Sequence, residues 1–228
     1  MTRRLQVKGV PLIKFQKEWI IDSLQNGKIY AKTLDYYRQL EIDTGDDHVG
    51  DHYEAMLPVV NGIFQDASTG EISVMENVLV PTKNSNDYVF CMFSFHNVSD
   101  TFTFTDQQKA ELLKLGDTAL LITDVEEFKR RIWVAAEEQG YQVQFAPVRY
   151  YDEQENSAEM ILDSMKGLWT LAFWKRKKYA YQQEARFVFS PYVCGQDHLE
   201  LDIGDIHDIS CKMTAEEALS AICKAETE

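Results

Sequence analysis

The chain has 228 residues, 45% hydrophobic, 26% charged and 12% aromatic, a composition that excludes disorder and suits one sizeable core. Its formal net charge of -14 excludes an extended nucleic-acid-coating surface, which needs an excess of Lys and Arg, but leaves room for a local basic cleft. The four cysteines (Cys91, Cys194, Cys211, Cys223) form no C-x-x-C pair, no apolar run follows the N-terminal residues, and no stretch reaches membrane-spanning length, so the expectation is a cytoplasmic chain with reduced thiols and no membrane partner.

In chain order, Val10 to Phe15 reads as a strand, and Trp19, Ile20, Ile21 and Leu24 as a helical stripe stopped by Asn26-Gly27. Lys28 to Lys32 reads as a second strand, followed by a polar-aromatic turn at Asp35-Tyr36-Tyr37-Arg38. From Glu41 to Glu76 there are nine acidic residues and no Lys or Arg. Within that stretch Pro58-Val59-Val60, Asn61-Gly62 and Ile63-Phe64 read as a hairpin, because Asn-Gly supplies the positive φ angles of a tight turn. Ile72 to Val80 and Tyr88 to Phe95 are further strands, the latter apolar on both faces and therefore central.

A short helix is expected over Asp106 to Leu115, then a strand over Thr118 to Ile122. Asp124, with Glu127 three residues on, opens a longer helix that ends at Gly140, and Tyr141 to Tyr151 is a strand. Asn156 to Lys166 is helical, Tyr181 to Ser190 and His198 to Ile203 are strands, and Thr214 to Glu217 is a capping box opening a helix to about Lys224. With no internal repeat or linker, this amounts to one α+β domain over 1–228, with a mainly antiparallel sheet and peripheral helices.

Three constellations carry candidate chemistry. Between Lys166 and Arg186 lie six basic residues and one acid, in an otherwise acidic protein, including Lys175, Arg176 and Lys178. On a strand, Gln182, Glu184 and Arg186 project together, with Tyr181 on the other face. Glu184 would then stand where a polar rim meets the apolar Phe187-Val188-Phe189, a place where a carboxylate can be tuned; the equal alternative is an ion pair that ties down a strand end. The acidic segment with His48, Asp51, His52 and Glu54 contains the ligand types of a metal site, but Gly45 and Gly50 favour a solvated loop, and no metal is expected. Ser94, with His96, ends the central strand as a substrate contact or as a small residue at a tight packing point. The P-loop, G-x-G-x-x-G and H-E-x-x-H motifs do not occur.

Leu12-Ile13-Lys14-Phe15, Asn26-Gly27-Lys28-Ile29-Tyr30, Tyr37-Arg38, Gly50-Asp51-His52-Tyr53-Glu54, Cys91-Met92-Phe93-Ser94 and Tyr181 to Arg186 appear in an order that resembles a group of uncharacterised bacterial domains of mobile elements and defence loci. The layout is also similar to the ADP-ribosyltransferase fold, which implies a split sheet and NAD as substrate. On that resemblance Lys14 holds the first-strand position and Ser94 the central-strand position, while Gln182-x-Glu184 stands for the late Gln/Glu-x-Glu. Glu184 would stabilise the oxocarbenium-like transition state and Gln182 would orient the acceptor, with Lys14, Ser94, Tyr30 and Arg38 around NAD. Lys175, Arg176, Lys178, Tyr181 and Arg186 would bind the substrate acceptor.

The expected function is an NAD-consuming toxin or antiphage defence effector that modifies a nucleic acid or protein, its basic cleft coverable by a partner's acidic segment such as an antitoxin's. The alternative is a non-catalytic nucleic-acid-binding module using Trp169, Trp174, Tyr179, Tyr181 and the adjacent cations of segment 166–186. A metal-dependent hydrolase on the acidic segment is the third reading.

Overall fold

A computed structural model describes residues 7–45, 48–81, 86–95, 103–166, 168–192 and 196–220; the side chains of 168 and 169 are not among what it describes. The first half runs β1 (Leu12–Gln16), α1 (Glu18–Gln25), β2 (Lys28–Thr33), α2 (Leu34–Thr44), β3 (Met56–Gln65), β4 (Ile72–Pro81), β5 (Tyr88–Ser94) and α3 (Asp106–Leu113). Then follow β6 (Thr118–Ile122), α4 (Val125–Glu138), β7 (Tyr141–Pro147), β8 (Arg149–Tyr151), α5 (Ala158–Lys166), β9 (Trp174–Arg176), β10 (Glu184–Pro191), β11 (His198–Asp202), β12 (Ser210–Thr214) and α6 (Ala215–Ser220). Among the described residues, 3-10 helices lie at Leu168–Phe173, Lys177–Gln182 and His207–Ile209. The fold is α+β with a mainly antiparallel sheet. The residues fall into two compact units: Met1–Lys32, Tyr88–Pro147 and Tyr181–Glu228 form the first, Thr33–Asp87 and Val148–Ala180 the second.

The first unit is built on an eight-stranded sheet with β5 at its centre. β10 pairs along β5 from Glu184↔Phe93 to Phe189↔Tyr88, and β1 pairs with it at Leu12↔Ser94 and Ile13↔Phe93. Phe93 therefore has β1 on one edge and β10 on the other. β2 also pairs with β5, and since β10 fills one edge throughout, β1 and β2 must share the opposite edge. The sheet forks there, and the arms continue as β1–β6–β12 and β2–β11.

Strand alternation gives the sheet two apolar faces. One carries Leu12, Phe90, Met92, Leu120, Ile122, Ala185, Phe187 and Phe189 against Ile21 and Leu24 of α1 and Phe128 and Ile132 of α4. The other carries Ile13, Phe15, Phe93, Ala119 and Leu121 against Leu112 of α3 and Ala218 and Leu219 of α6. Phe187 is fully buried and meets the rings of Phe90, Phe128, Trp133 and Phe145. Burial of one such ring contributes about 2–3 kcal/mol.

The helix starts follow local chemistry. Asp124 accepts from the Glu127 amide at 3.2 Å, and Thr214 and Glu217 cap one another at 3.1 and 3.0 Å. The last helix is described to Ser220, so its expected continuation to Lys224 lies outside the described residues, as do His96, Cys194 and Cys223. β12 had no counterpart in the sequence reading, and the strand expected over 141–151 breaks at Val148 into β7 and β8.

The second unit contains the β3–β4 hairpin, α2, α5 and a short parallel pair β8–β9. Two expectations are corrected here. Asp35 to Arg38 is not a turn but the first turns of α2, which Thr33 caps by accepting from the Tyr36 amide at 3.1 Å. Asn61-Gly62 is not the hairpin turn: β3 runs through it with the register Val60↔Asn77 and Gly62↔Met75 unchanged, and Asn61 takes φ 51° inside the strand. The chain reverses instead at Asp66 to Gly70, where Asp66 accepts from the Ser68 and Thr69 amides at 2.7 and 2.9 Å. Those bonds, the Ser68 hydroxyl first, hold the Asp66 carboxyl at about 2. No helix among the described residues is long and apolar enough to cross a membrane.

Gly27 ends α1 at φ +87°, and a Cβ there would lie 2.1 Å from the Gly204 carbonyl oxygen. The position therefore demands both a left-handed backbone and empty space. Gly27→Ala is expected to destabilise the chain by about 2–4 kcal/mol, measured as a lower urea midpoint with an unchanged slope.

Candidate functional site at the fork of the sheet

β1 pairs with β5 only at Leu12 and Ile13 and then diverges from it. Beyond that pairing, Lys14 donates its ammonium to the Cys91 carbonyl at 2.8 Å and so ties the diverging strand to β5. Its Nζ also lies 4.9 Å from the centre of the Phe90 ring. Burial pushes the Lys14 pKa down, partly offset by the negative fields of Cys91 and Glu184.

Across β5, β10 opens with Glu184, paired with Phe93, and two residues later places Arg186 opposite Cys91. Both side chains face the smaller apolar core, and Arg186 Nε donates to Glu184 Oε2 at 2.8 Å. The Arg186 side chain keeps 2% of its surface exposed and that of Glu184 10%. A carboxylate and a guanidinium taken this far from water survive only as a pair, so each fixes the other.

The strand begins later than the sequence suggested. Gln182 and Tyr181 belong to the 3-10 helix Lys177–Gln182, so Gln182 does not share a strand face with Glu184. The buried Gln182 donates to the Tyr181 hydroxyl at 3.4 Å, and Gln108 of α3 donates to the Tyr181 carbonyl at 3.3 Å. Gln183 bridges helix and strand at φ 40°, a region a non-glycine residue enters only at a cost of about 1–3 kcal/mol. Its carbonyl continues the ladder to Ser94 N at 2.8 Å, and its buried side-chain Oε1 has no hydrogen-bond partner among the described residues. Sequence reasoning missed both Gln183 and Cys91, since a backbone kink and a fork in pairing leave no periodic signature.

Of the residues expected around NAD, the structure brings Lys14, Ser94 and Glu184 onto adjacent strands β1, β5 and β10. The register separates their faces: Ser94, paired with Leu12, and Lys14, paired with Leu120, lie on the larger-core side, whereas Glu184 points to the other. Tyr30 is not part of the cluster. It lies on the outer face of β2, stacked on His198 at 5.0 Å. Arg186 is too deeply buried to touch an acceptor, which corrects its expected role.

Arg38, Lys175, Arg176 and Lys178 belong to the second unit, where acidic partners consume most of the cationic charge. Arg176 donates to Asp51 at 2.8 Å and to Glu41 at 2.8 Å, and its guanidinium lies 4.4 Å from the Tyr53 ring. Arg38 bonds Asp35 at 2.5 Å. Lys175 is buried 4.4 Å from the Tyr179 ring, and Lys178 keeps its amine 3.6 Å from Glu41. The expected basic-aromatic surface is therefore not formed by these residues. Trp174 and Tyr179 are interior, with Trp174 donating to Asp163 at 3.1 Å and Tyr179 to the Gly50 carbonyl at 2.9 Å, so neither offers a face to a base. The Trp169 side chain lies outside the described residues.

The proposed metal ligands are likewise drawn apart. Asp51 turns to Arg176 and His52 to Glu41, and no group of three or more His, Cys, Asp or Glu converges among the described residues. Asp46 and Asp47 lie outside them. Two buried oxygens near this network, Asp51 Oδ2 and Tyr151 Oη, lack a described partner, and burial with the Asp51 charge pushes the Tyr151 phenol up.

Comparison with protein-family models, with curated proteins and with solved structures gave no match. The site is thus read from its own chemistry.

Glu41 gives that chemistry a pH signature. Burial alone would raise its pKa, but bonds from the His52 amide and ring and from Arg176 outweigh it and hold the carboxyl at about 2, against a usual 4.5. A depressed carboxylate stabilises the fold above its unfolded pKa and loses that contribution as pH falls toward its folded one. Acidification from pH 5 to pH 2 is expected to remove about 1–2 kcal/mol through Glu41, allowing for solvent around it. Urea melts of Glu41→Gln against wild type across this range measure the difference, which should shrink as pH falls.

Proposed function

We propose that the first unit transfers the ADP-ribosyl group of NAD, with Glu184 as the carboxylate that stabilises the developing ribosyl cation. The observation that carries this reading is the forked antiparallel sheet with the Glu184 carboxylate, held by Arg186, at the start of β10 beside β5. When bound, NAD supplies the glycosidic bond whose cleavage releases nicotinamide. A fixed negative charge in a site with little water acts strongly on positive charge developing at the ribose. Arg186 holds the carboxylate in one orientation before the substrate arrives, so little reorganisation is left for the transition state. Gln183 Oε1 has no donor among the described residues, and a carboxamide N–H or ribose hydroxyl is such a donor. Lys14, on the opposite face and bonded to the Cys91 carbonyl, holds the fork rather than the ligand. Ser94 and Tyr30 have no part in this version, and the acceptor is a nucleic acid or a protein.

The competing reading is favoured by one observation, the near-complete burial of Glu184 with Arg186. In that case Glu184 is only the counterion of Arg186. The two readings differ in what purified protein does with NAD. Wild type is expected to bind NAD and release nicotinamide in the presence of an RNA or protein acceptor. Glu184→Gln should lose at least about a hundredfold in rate, with circular dichroism and cooperative melting retained. If wild type binds no NAD and releases no nicotinamide, and Glu184→Gln costs only stability, of about 3–5 kcal/mol, the ion pair is structural.

A further inference from the structure

The two outer edges of the β3–β4 hairpin are treated differently. On β3, the Asn156 side chain stands in for a neighbouring strand: its Oδ1 accepts from the Val60 amide and its Nδ2 donates to the Val60 carbonyl, both at 2.8 Å. β4 has β3 on one edge and no strand on the other among the described residues. It is ten residues long, and from Ile72 to Asn77 every residue is exposed. Ile63, Ile72 and Val74 share one face of the hairpin, with 75%, 65% and 71% of their surface exposed. A long apolar edge strand with unpaired amides and carbonyls is a template for another strand, and soluble proteins usually guard such edges with Lys, Pro or a bulge. On β4 the guards reduce to Glu76 and the terminal Pro81.

We propose that the outer edge of β4 binds an extended segment of a partner protein in which Lys or Arg alternates with aliphatic residues. The backbone edge calls for an extended chain, and the Ile72–Val74–Ile63 face calls for aliphatic side chains on alternate positions. The charge sets the sign: Asp66 and Glu71 flank the hairpin turn, Glu76 sits on the strand, and no Lys or Arg occurs from Glu41 to Glu76. A second copy brings the same acids and a net charge of -14 and is repelled, as is a nucleic acid. This inference is independent of glycosyl transfer.

The test is backbone hydrogen exchange of the full chain with a ten-residue peptide of alternating Lys and Val. Two controls accompany it, one peptide with Pro at alternate positions and the same number of Lys, and one with Glu for Lys. Exchange within 72–80 is expected to slow roughly tenfold with the Lys-Val peptide and to stay unchanged with both controls. Ile72→Lys and Val74→Lys, at exposed positions, should weaken the effect about tenfold while leaving the melting curve in place. Equal slowing by the Pro peptide, slowing only outside 72–80, or slowing that follows protein concentration alone overturns the proposal.

Discussion

A β-strand has two edges, and β5 serves three neighbours with them. β10 claims one edge along Tyr88 to Phe93, which leaves β1 and β2 to divide the other. A backbone group left bare and buried at such a junction would cost more than most side-chain contacts return. Lys14 answers that need with a side chain long enough to reach the Cys91 carbonyl from the diverging strand. The negative fields of Cys91 and Glu184 offset only part of the burial that lowers its pKa, while Arg186 gives Glu184 a direct counterion. The fork thus collects ionisable groups because of the way its strands are paired. A catalytic carboxylate and a structural one would both find the place suitable, which is why only turnover separates them.

Charge follows a second rule in this chain. The cations gathered in sequence near 175–178 do not remain together as a surface: Arg176 and Lys175 turn inward, where Asp51, Glu41 and aromatic rings receive them. The Arg176 charge is answered by Asp51 and Glu41, which leaves it no part in countering the exposed acids of the hairpin. A partner chosen by electrostatics would accordingly be basic, the reverse of what the linear charge pattern implies.

Much of the fold was legible where a single period or cap decides it. The apolar run of β5, the Asp124 and Thr214 caps and the Gly27 stop all lie where local chemistry puts them. The failures share a cause. Asn61-Gly62 has the composition of a turn, but pairing with β4 on both sides keeps it in the strand, and the Asp66 side chain turns the chain instead. Asp35 to Arg38 lacks an apolar stripe, so α2 announced itself only through the Thr33 cap. At the site, alternation correctly paired Glu184 with Arg186. It misplaced Gln182, because the kink at Gln183 resets the period one residue before the strand. Burial of Arg176 depends on partners 120 or more residues earlier, which no local window contains.

The division of β5 between early and late strands also sets an order of events during synthesis. β1 and β2 have left the ribosome before β5 appears, but β10 follows about ninety residues later, which at usual elongation rates is roughly 5–20 s. Throughout that interval the most apolar strand of the sheet has one edge open, and the intervening chain includes α3, β6, α4 and β7 of its own unit. A nascent chain in this state is a substrate for chaperones and a hazard at high expression. The first unit becomes complete only when its last third has emerged.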